Sequence, residues 1–378
     1  MHANEILTNQ PFRRRLPPRL SPLRRARRSL AIALCLCLVP TTISYLTAVA
    51  GPSNSNFAIR SFEWLRDHGA APIASKVESF YYSLNAPATG GPGLRTLPRQ
   101  SRAAAAGVHP PNIAPVITPA LPGEGVWVPS ESWSGSSSPV QTTELRSDPS
   151  YPRNVAGIAW IDTARTKIAL YPGRLEPSVN LPRGAMEVPP ASRPRLLATF
   201  NSAFKLRDSG GGFAVGGRTY ASLKPGLATL IAYADGRVDI KAWSGGAGLP
   251  PGVELARQNL PLIVQGGAPN PNLADGPAWG VTVSNAVRVW RSGLGVDAKG
   301  NLIYAAADNQ TVGSLAEILI RAGAVRAMEL DINSYWVSFI TYAQPDAGSP
   351  SNFLPGMPRS PERYLTPDDR DFFAIYTR

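Results

Sequence analysis

The chain has 378 residues, of which 43% are hydrophobic and 17% charged, so it can bury at least one full core. Its net charge of +12 is concentrated in residues 1–28, which hold eight arginines and one acid, and the thinly spread remainder argues against nucleic-acid binding. No histidine or cysteine occurs after His109, which excludes a Ser-His-Asp triad, a thiol nucleophile and the usual His/Cys zinc site from residues 150–378.

The basic leader, residues 1–28, is followed by residues 29–50, which carry no charge. At ~1.5 Å per residue this segment can cross a ~30 Å hydrocarbon core, and a basic leader holds the N-terminus in the cytoplasm. The sequence AVA at 48–50 also fits a signal-peptidase site. We favour a permanent anchor, because the leader is long for a cleaved signal. Both alternatives place the rest of the chain outside the cytoplasm, either on a single-pass protein of the cell membrane or as a protein secreted after cleavage at Ala50.

The next two segments differ in composition and in the spacing of their apolar residues. Residues 51–85 have apolar side chains at helical spacing and break at Gly69 and Pro72, so we predict two short helices near the membrane surface. Residues 86–149 are rich in Pro, Gly, Ser and Ala and show little periodicity. That composition predicts a semi-extended linker.

Residues 150–378 are predicted to form one α+β domain with a largely antiparallel β-sheet and a few packed helices. The segment 156–172 predicts two strands around a short loop. Hairpins are predicted to turn at Asp235-Gly236 and at Lys299-Gly300. A capping box at 314–317 marks the start of one helix.

Two acids, Glu329 and Asp331, interrupt a run that otherwise reads as a buried strand. Strand residues two apart point to the same face, so both carboxylates emerge together. Such a pair is costly unless it binds a cation, shares a proton or serves catalysis. The alternative is structural: one acid pairs with an arginine of the sheet and the other caps the turn at Asn333-Ser334.

The other acids are predicted to be structural, with Asp162, Asp235 and Asp297 in hairpin turns, Glu317 in the capping box, and Asp368, Asp369 and Asp371 in an exposed C-terminal loop.

Two further stretches place polar groups in apolar surroundings. Asn201 and Lys205 interrupt LLATFNSAFKL, which otherwise reads as a strand, and a turn-forming asparagine is the simpler interpretation. Arg291 leaves a strand and is followed by Gly293 and Gly295. This pattern either lets the backbone approach an anion beside a guanidinium or only bends the sheet.

Taken in order, these stretches resemble the phosphodiester glycosidase family, whose best-known members, the "uncovering" enzymes, remove N-acetylglucosamine from a sugar-1-phosphodiester. The resemblance covers about residues 150–378. It is clearest from 291 to 334, where an arginine, a glycine, a hairpin, an Ala/Leu-rich helix and a strand ending in Leu-Asp follow one another. FNSAF at 200–204 resembles the family's Asn-Gly-Gly-Phe region, and QGGAP at 265–269 its Gly-Gly-Pro stretch. The usual Gly-Gly-Gly-Ser turn after Leu-Asp is replaced here by Ile-Asn-Ser.

The resemblance implies that Asn201, Arg291 and Asp331 belong to an active site. The resulting hypothesis is an extracytoplasmic, membrane-anchored glycosidase that hydrolyses a sugar-1-phosphodiester. Asp331 would act as nucleophile or base, Glu329 would supply the second carboxyl, and Asn201 would hold a sugar hydroxyl or orient an acid. Arg291, with Lys205 or a cation, would stabilise the departing phosphate. The residues predicted to bind substrate or phosphate are Arg291, Lys205, Gly293, Gly295 and Asn333.

Partners and cofactors follow from the same chemistry. The expected partners are a carbohydrate phosphodiester or cell-envelope glycan and, through the N-terminal segment, the membrane. No metal ligands can be assigned, but a divalent cation such as calcium or magnesium would suit a domain whose metal ligands must be oxygens. Two alternatives stay open: a non-catalytic glycan-binding module of the cell envelope on the same fold, and a hydrolase of another envelope phosphodiester, such as a teichoic-acid-like polymer.

Overall fold

The computed structural model describes residues 21–69, 76, 90–98, 107–130, 137–280, 282, 287–343 and 348–378. The chain divides into two units, Met1–Gly51 and Pro52–Arg378. The second unit is built from strands and short helices around buried apolar clusters.

The first unit is described as one helix, α1 (Pro22–Ala50), which is long and apolar enough to cross a membrane. The helix begins at Pro22 because the Ser21 side chain accepts the Arg24 N–H and proline suits a first turn. It therefore includes part of the predicted leader, whose arginines favour a helix rather than interrupt it. The anchor and the cleaved signal both stay predictions.

Helix α2 (Phe57–Asp67) opens the second unit and is capped by the Asn56 side chain, which accepts the Ile59 N–H. It is the first of the two helices predicted for residues 51–85. The second would span residues 70–84, which lie outside the described residues except for Lys76.

The remaining elements form three antiparallel sheets. The first sheet has the order β1-β2-β3-β14-β13-β15-β11-β12, the second β7-β6-β10-β8-β9 and the third β17-β16-β5-β18-β4. The predicted α+β class with largely antiparallel sheets is confirmed. The strands are β1 (Val128–Pro129), β2 (Val140–Arg146), β3 (Val155–Ile161), β4 (Thr166–Tyr171), β5 (Leu196–Asn201), β6 (Phe213–Val215), β7 (Arg218–Ala221), β8 (Ala228–Tyr233), β9 (Val238–Ala242), β10 (Val253–Gln258), β11 (Leu262–Gln265), β12 (Ala268–Pro269), β13 (Val289–Val296), β14 (Leu302–Gln310), β15 (Arg326–Glu329), β16 (Phe339–Ala343), β17 (Gly348–Asn352) and β18 (Phe372–Thr377). The other described helices are α3 (Leu206–Ser209), α4 (Val312–Arg321) and the 3-10 helices Pro190–Arg195, Gly276–Trp279 and Arg363–Leu365.

Strand β2 differs from the linker predicted for residues 86–149. All 7 of its residues are buried, and it pairs with β3 along its whole length. Its sequence VQTTELR does not indicate this burial, because five of the seven residues are polar. Arg146, for example, forms a 2.7 Å ion pair with buried Glu124, which also lies in the predicted linker. The folded domain therefore begins before residue 150.

The predicted hairpins are confirmed: β8 and β9 pair across Gly236, and β13 and β14 pair across Gly300. Both glycines have a positive φ of 86°, which suits a tight turn. The strands predicted at 156–172 are present as β3 and β4, but they join different sheets. Asp162 therefore lies in a connection between sheets and not in a hairpin turn.

Helix α4 begins one turn earlier than predicted. Its N-cap is Thr311, which exchanges hydrogen bonds with Ser314 in a capping box. Glu317 accordingly lies inside the helix. The earlier start adds Val312 to the buried apolar face that the helix packs against the first sheet.

Candidate active site

The ends of β5 and β15 meet beside β13, and this junction brings several predicted site residues together. The Asp331 N–H donates to the Ser202 carbonyl at 3.1 Å, and the Ser292 hydroxyl donates to the Asp331 carbonyl at 2.8 Å. The Asn201 amide donates to the Ser292 hydroxyl at 3.0 Å. Glu329 is the last residue of β15 and lies opposite Gly293 in the sheet. Two sheets therefore fix the backbone that carries both acids.

Glu329 is the most perturbed carboxyl of this junction. Its side chain forms an ion pair through Oε1 with Arg291, and its Oε2 has no hydrogen-bond partner among the described residues. Burial, together with a smaller effect of the Asp331 charge, raises the pKa of Glu329 to about 7 against the lowering effect of Arg291. A carboxyl that titrates near neutral pH can exchange a proton with a reacting group.

The Arg291 guanidinium is buried and donates to other groups of the protein. Besides Glu329 it donates to the Gln310 carbonyl at 3.0 Å and to the Trp279 carbonyl at 3.4 Å. It is 2% exposed. This guanidinium is therefore buried and pairs with Glu329 instead of standing free for a phosphate ligand.

Asp331 is held at both carboxylate oxygens. Its Oδ2 accepts from Arg370 at 2.6 Å, and its Oδ1 accepts from the Asn333 N–H at 3.0 Å. Asn333 in turn accepts the Tyr335 N–H at 2.9 Å. These contacts, with those of Glu329, match the structural alternative of arginine pairing and turn capping. The unpartnered oxygen and raised pKa of Glu329 are what that alternative leaves unexplained.

Asn201 is placed as a positioning residue. Its carbonyl oxygen accepts from the Tyr304 hydroxyl at 3.1 Å and from the Ser338 N–H at 3.0 Å. Its amide donates to Ser202 and Ser292. The hydrogen-bonding capacity of this side chain is used inside the protein, so it fixes the junction and leaves no group for a sugar hydroxyl.

Lys205 contacts helix α2. Its ammonium donates to Glu63 at 2.8 Å and to Asp67 at 3.2 Å, and Arg207 pairs with Asp67 as well. Burial would raise the pKa of Glu63, but Arg66, Lys205 and Arg370 together hold it below its ordinary value. The ammonium of Lys205, which was predicted to bind phosphate, is therefore paired with Glu63 and Asp67 of α2.

Gly293 and Gly295 have a packing role rather than the predicted anion contact. Both lie in the interior of β13, hydrogen-bonded between β14 and β15. A Cβ on Gly293 would lie 2.9 Å from the Leu319 side chain, and one on Gly295 would lie 2.8 Å from Ala324. Their missing side chains let α4 and the turn after it pack on the sheet. Contact with Leu319 accounts for Gly293, and contact with Ala324 accounts for Gly295, without an anion.

The acids of the C-terminal segment correct a prediction. They are not in an exposed loop, because all three are buried and each is paired with an arginine. The acidic run resembles a solvated loop because two of its three partners, Arg174 and Arg257, are far away in sequence. The pairs are Asp368 with Arg363 at 2.7 Å, Asp369 with Arg174 at 2.8 Å, and Asp371 with Arg257 at 2.8 Å.

Arg370 lies in this same segment and was missed by the sequence interpretation. Nothing near it in the sequence indicates that it reaches Asp331, which is 39 residues away. No group of three or more His, Cys, Asp or Glu side chains that could hold a metal occurs in the described part of the chain. The divalent cation stays a prediction.

A family model described as phosphodiester glycosidase matches residues 204–331, which confirms the resemblance found in the sequence. No curated protein matches the chain. Among solved structures, it is similar to the catalytic domain of zebrafish N-acetylglucosamine-1-phosphodiester alpha-N-acetylglucosaminidase auto-inhibited by pro-peptide, with 16% identity over 67% of this chain and 88% of that chain and a TM-score of 0.43. It is also similar to a hypothetical protein from Synechocystis, with 15% identity over 65% of this chain and 63% of that chain and a TM-score of 0.40. A Burkholderia pseudomallei protein has 14% identity over 61% of this chain and 75% of that chain, with a TM-score of 0.35.

Proposed function

We propose that this chain hydrolyses the glycosidic bond of a sugar-1-phosphodiester, with Asp331 and Glu329 as its two carboxyl groups. The observation that carries the proposal is the buried Glu329 carboxyl, which has an unpartnered oxygen and a pKa raised to about 7, two residues before Asp331. The family match, which spans residues 204–331, supports the substrate class.

The two acids have different roles in the proposed reaction. The bond between the anomeric carbon and the phosphate oxygen breaks, and its electron pair stays on that oxygen. Asp331 attacks the anomeric carbon or removes a proton from the water that does so. If Asp331 attacks, water then breaks the bond between the sugar and Asp331 and frees the carboxylate. On both routes the water oxygen ends on the anomeric carbon with one of its protons, as the new hydroxyl, and the other proton passes through a carboxylate to the phosphate or to solvent. Glu329, which titrates near neutral pH, can carry a proton to or from the reacting oxygens.

The phosphate leaving group does not need a strong general acid. A phosphate that departs is already stable as an anion, so fixed cations can stabilise it without a strong acid. In the turn at 332–334 that replaces the glycine turn, the backbone N–H of Asn333 fixes the orientation of the Asp331 carboxylate. Helix α1 would hold the domain at the outer face of the cell membrane, where a phosphate-linked envelope glycan is the accessible substrate.

The test uses the full chain in detergent and a panel of sugar-1-phosphodiesters, with and without calcium or magnesium. We expect release of free sugar by the unchanged protein and at least a hundredfold lower release by Asp331→Asn. The control is Asp239→Asn, which removes an aspartate whose arginine partner, Arg326, lies 2.6 Å away and outside the junction. Equal turnover by Asp331→Asn and the unchanged protein would refute the assignment.

A glycan-binding module is the second candidate. It is favoured by the arginine partners of both carboxylates and by the two acids of α2 that occupy Lys205. Binding of envelope glycans by a folded chain that releases no sugar from any panel member would support this candidate.

A further inference from the structure

Three arginines surround one buried tryptophan near the candidate active site. The guanidinium carbons of Arg359, Arg363 and Arg370 lie 5.2, 5.1 and 5.3 Å from the centre of the Trp336 ring. The tryptophan is 2% exposed. We call these four residues the arginine–tryptophan cluster.

The cluster has more positive charge than its acids balance. Arg363 is paired with Asp368 at 2.7 Å and Arg370 with Asp331 at 2.6 Å. Among the acids that the structure describes, Arg359 contacts only Asp368, at 3.5 Å, and Arg363 shares that carboxylate; Arg359 Nη2 also donates to the Asn54 side chain. Burial and the charge of Arg363 accordingly lower the pKa of Arg359. One buried guanidinium is thus left without an acid of its own.

The cluster also holds unused hydrogen-bond donors. Arg359 Nη1, Arg370 Nε and Trp336 Nε1 are buried and have no acceptor among the residues that the structure describes. All three atoms can only donate. Buried polar groups are almost always hydrogen-bonded, so three donors without a partner around an excess positive charge indicate a bound anion.

We propose that the arginine–tryptophan cluster binds the phosphate group of the substrate. The proposal rests on the hydrolase function given above, and it moves the phosphate away from Arg291 and Lys205, which are committed to Glu329 and to α2. Arg370 joins the two parts of the site, because it holds Asp331 through Nη2 and has a free N–H at Nε. Guanidinium groups match the oxygens of phosphate, and the indole N–H adds a neutral donor.

The test measures phosphate binding directly, without turnover. The full chain in detergent is unfolded by heat at increasing concentrations of inorganic phosphate, because a ligand that binds only the folded state raises the unfolding temperature. Acetate at matched ionic strength shows whether a carboxylate serves equally well. We expect a saturable rise with phosphate that acetate does not reproduce.

Trp336→Phe is the informative variant. It removes the indole N–H and keeps an aromatic ring under the arginines, so it should weaken phosphate binding roughly tenfold. The smaller ring also lowers the unfolding temperature without phosphate, so the response is measured as the rise from each variant's own starting temperature. Its matched control is Trp243→Phe, which removes an indole N–H that donates to the Gly246 carbonyl at 2.8 Å, just after β9 of the second sheet. The control should unfold at a lower temperature and bind phosphate normally.

Arg359→Lys is a second, independent variant that keeps the charge and removes the guanidinium donors, and we again expect roughly tenfold weaker binding. An equal phosphate response in the unchanged protein, Trp336→Phe and Arg359→Lys would overturn the proposal, as would a lack of response in the unchanged protein. Sugar release with an unaltered phosphate response in both variants would overturn the anion site alone. Weakened phosphate binding in both variants of a chain that releases no sugar would support the site and refute the hydrolase.

Discussion

Replacing Glu329 by glutamine separates a catalytic carboxyl from a structural ion pair, because the two interpretations predict stability changes of opposite sign. Glutamine resembles the protonated acid in shape and has no charge. If burial dominates, the substitution relieves the cost of an ionised buried carboxylate at high pH. If the pair with Arg291 dominates, the substitution leaves a buried guanidinium without its partner, which typically costs about 3–5 kcal/mol.

The size of the expected effect follows from the pKa. Burial raises the pKa of Glu329 from 4.5 to about 7 in the folded protein. A raised pKa means that the folded state holds the proton more tightly, so the stability contribution is complete below pH 4.5 and is lost as pH rises through 7. At ~1.4 kcal/mol per pKa unit the loss is about 3 kcal/mol. Glu329→Gln should therefore match the unchanged protein near pH 5 and exceed its stability by about 3 kcal/mol at pH 8.

Urea unfolding of the full chain in detergent, repeated from pH 5 to 8, measures the difference between the two proteins. The control is Glu124→Gln, because Arg146 and two backbone N–H groups hold the pKa of Glu124 below its ordinary value despite burial. That variant should be less stable than the unchanged protein at pH 8. A loss of stability in Glu329→Gln at pH 8 would refute the raised pKa and with it the role of Glu329 as a proton carrier.

Three further substitutions test the surroundings of the site. Lys205→Met should speed amide hydrogen exchange in α2, because the helix loses its ion pairs to that ammonium; unchanged exchange would show that other contacts hold the helix. Asp371→Asn leaves the buried Arg257 without its carboxylate and should lower the unfolding free energy in urea by about 3–5 kcal/mol, whereas a loss under about 1 kcal/mol would contradict a buried pair. Gly157→Ala places a Cβ 2.5 Å from the Phe353 ring and should cost about 1–3 kcal/mol, so an unchanged thermal midpoint would contradict the close packing.

Local chemistry predicted the hairpins and the acid pair. Gly236 and Gly300 supply the positive φ that a two-strand turn requires, and this need is visible in a few adjacent residues. Glu329 and Asp331 were recognised because two acids interrupt an apolar strand. In these places the residues that determine the structure are neighbours in sequence.

The missed features depend on partners far apart in sequence. Arg257 and Asp371 are 114 residues apart, and no local pattern shows that the acidic C-terminal run is neutralised by distant arginines. The same limit applies to Arg370, whose role depends on where Asp331 lies in the fold. Strand β2 resembles linker because five of its seven residues are polar, and the partner of one of them, Arg146, is Glu124 outside the strand.

The most direct test of the central claim is the fate of oxygen from water. The full chain is incubated with a sugar-1-phosphodiester in water labelled with oxygen-18, and the products are analysed by mass spectrometry beside those of Asp331→Asn. A glycosidase cleaves the bond to the anomeric carbon, so the account predicts the label in the released sugar and none in the phosphate. Label in the phosphate would mean that the phosphorus–oxygen bond is cleaved and would contradict the proposed chemistry.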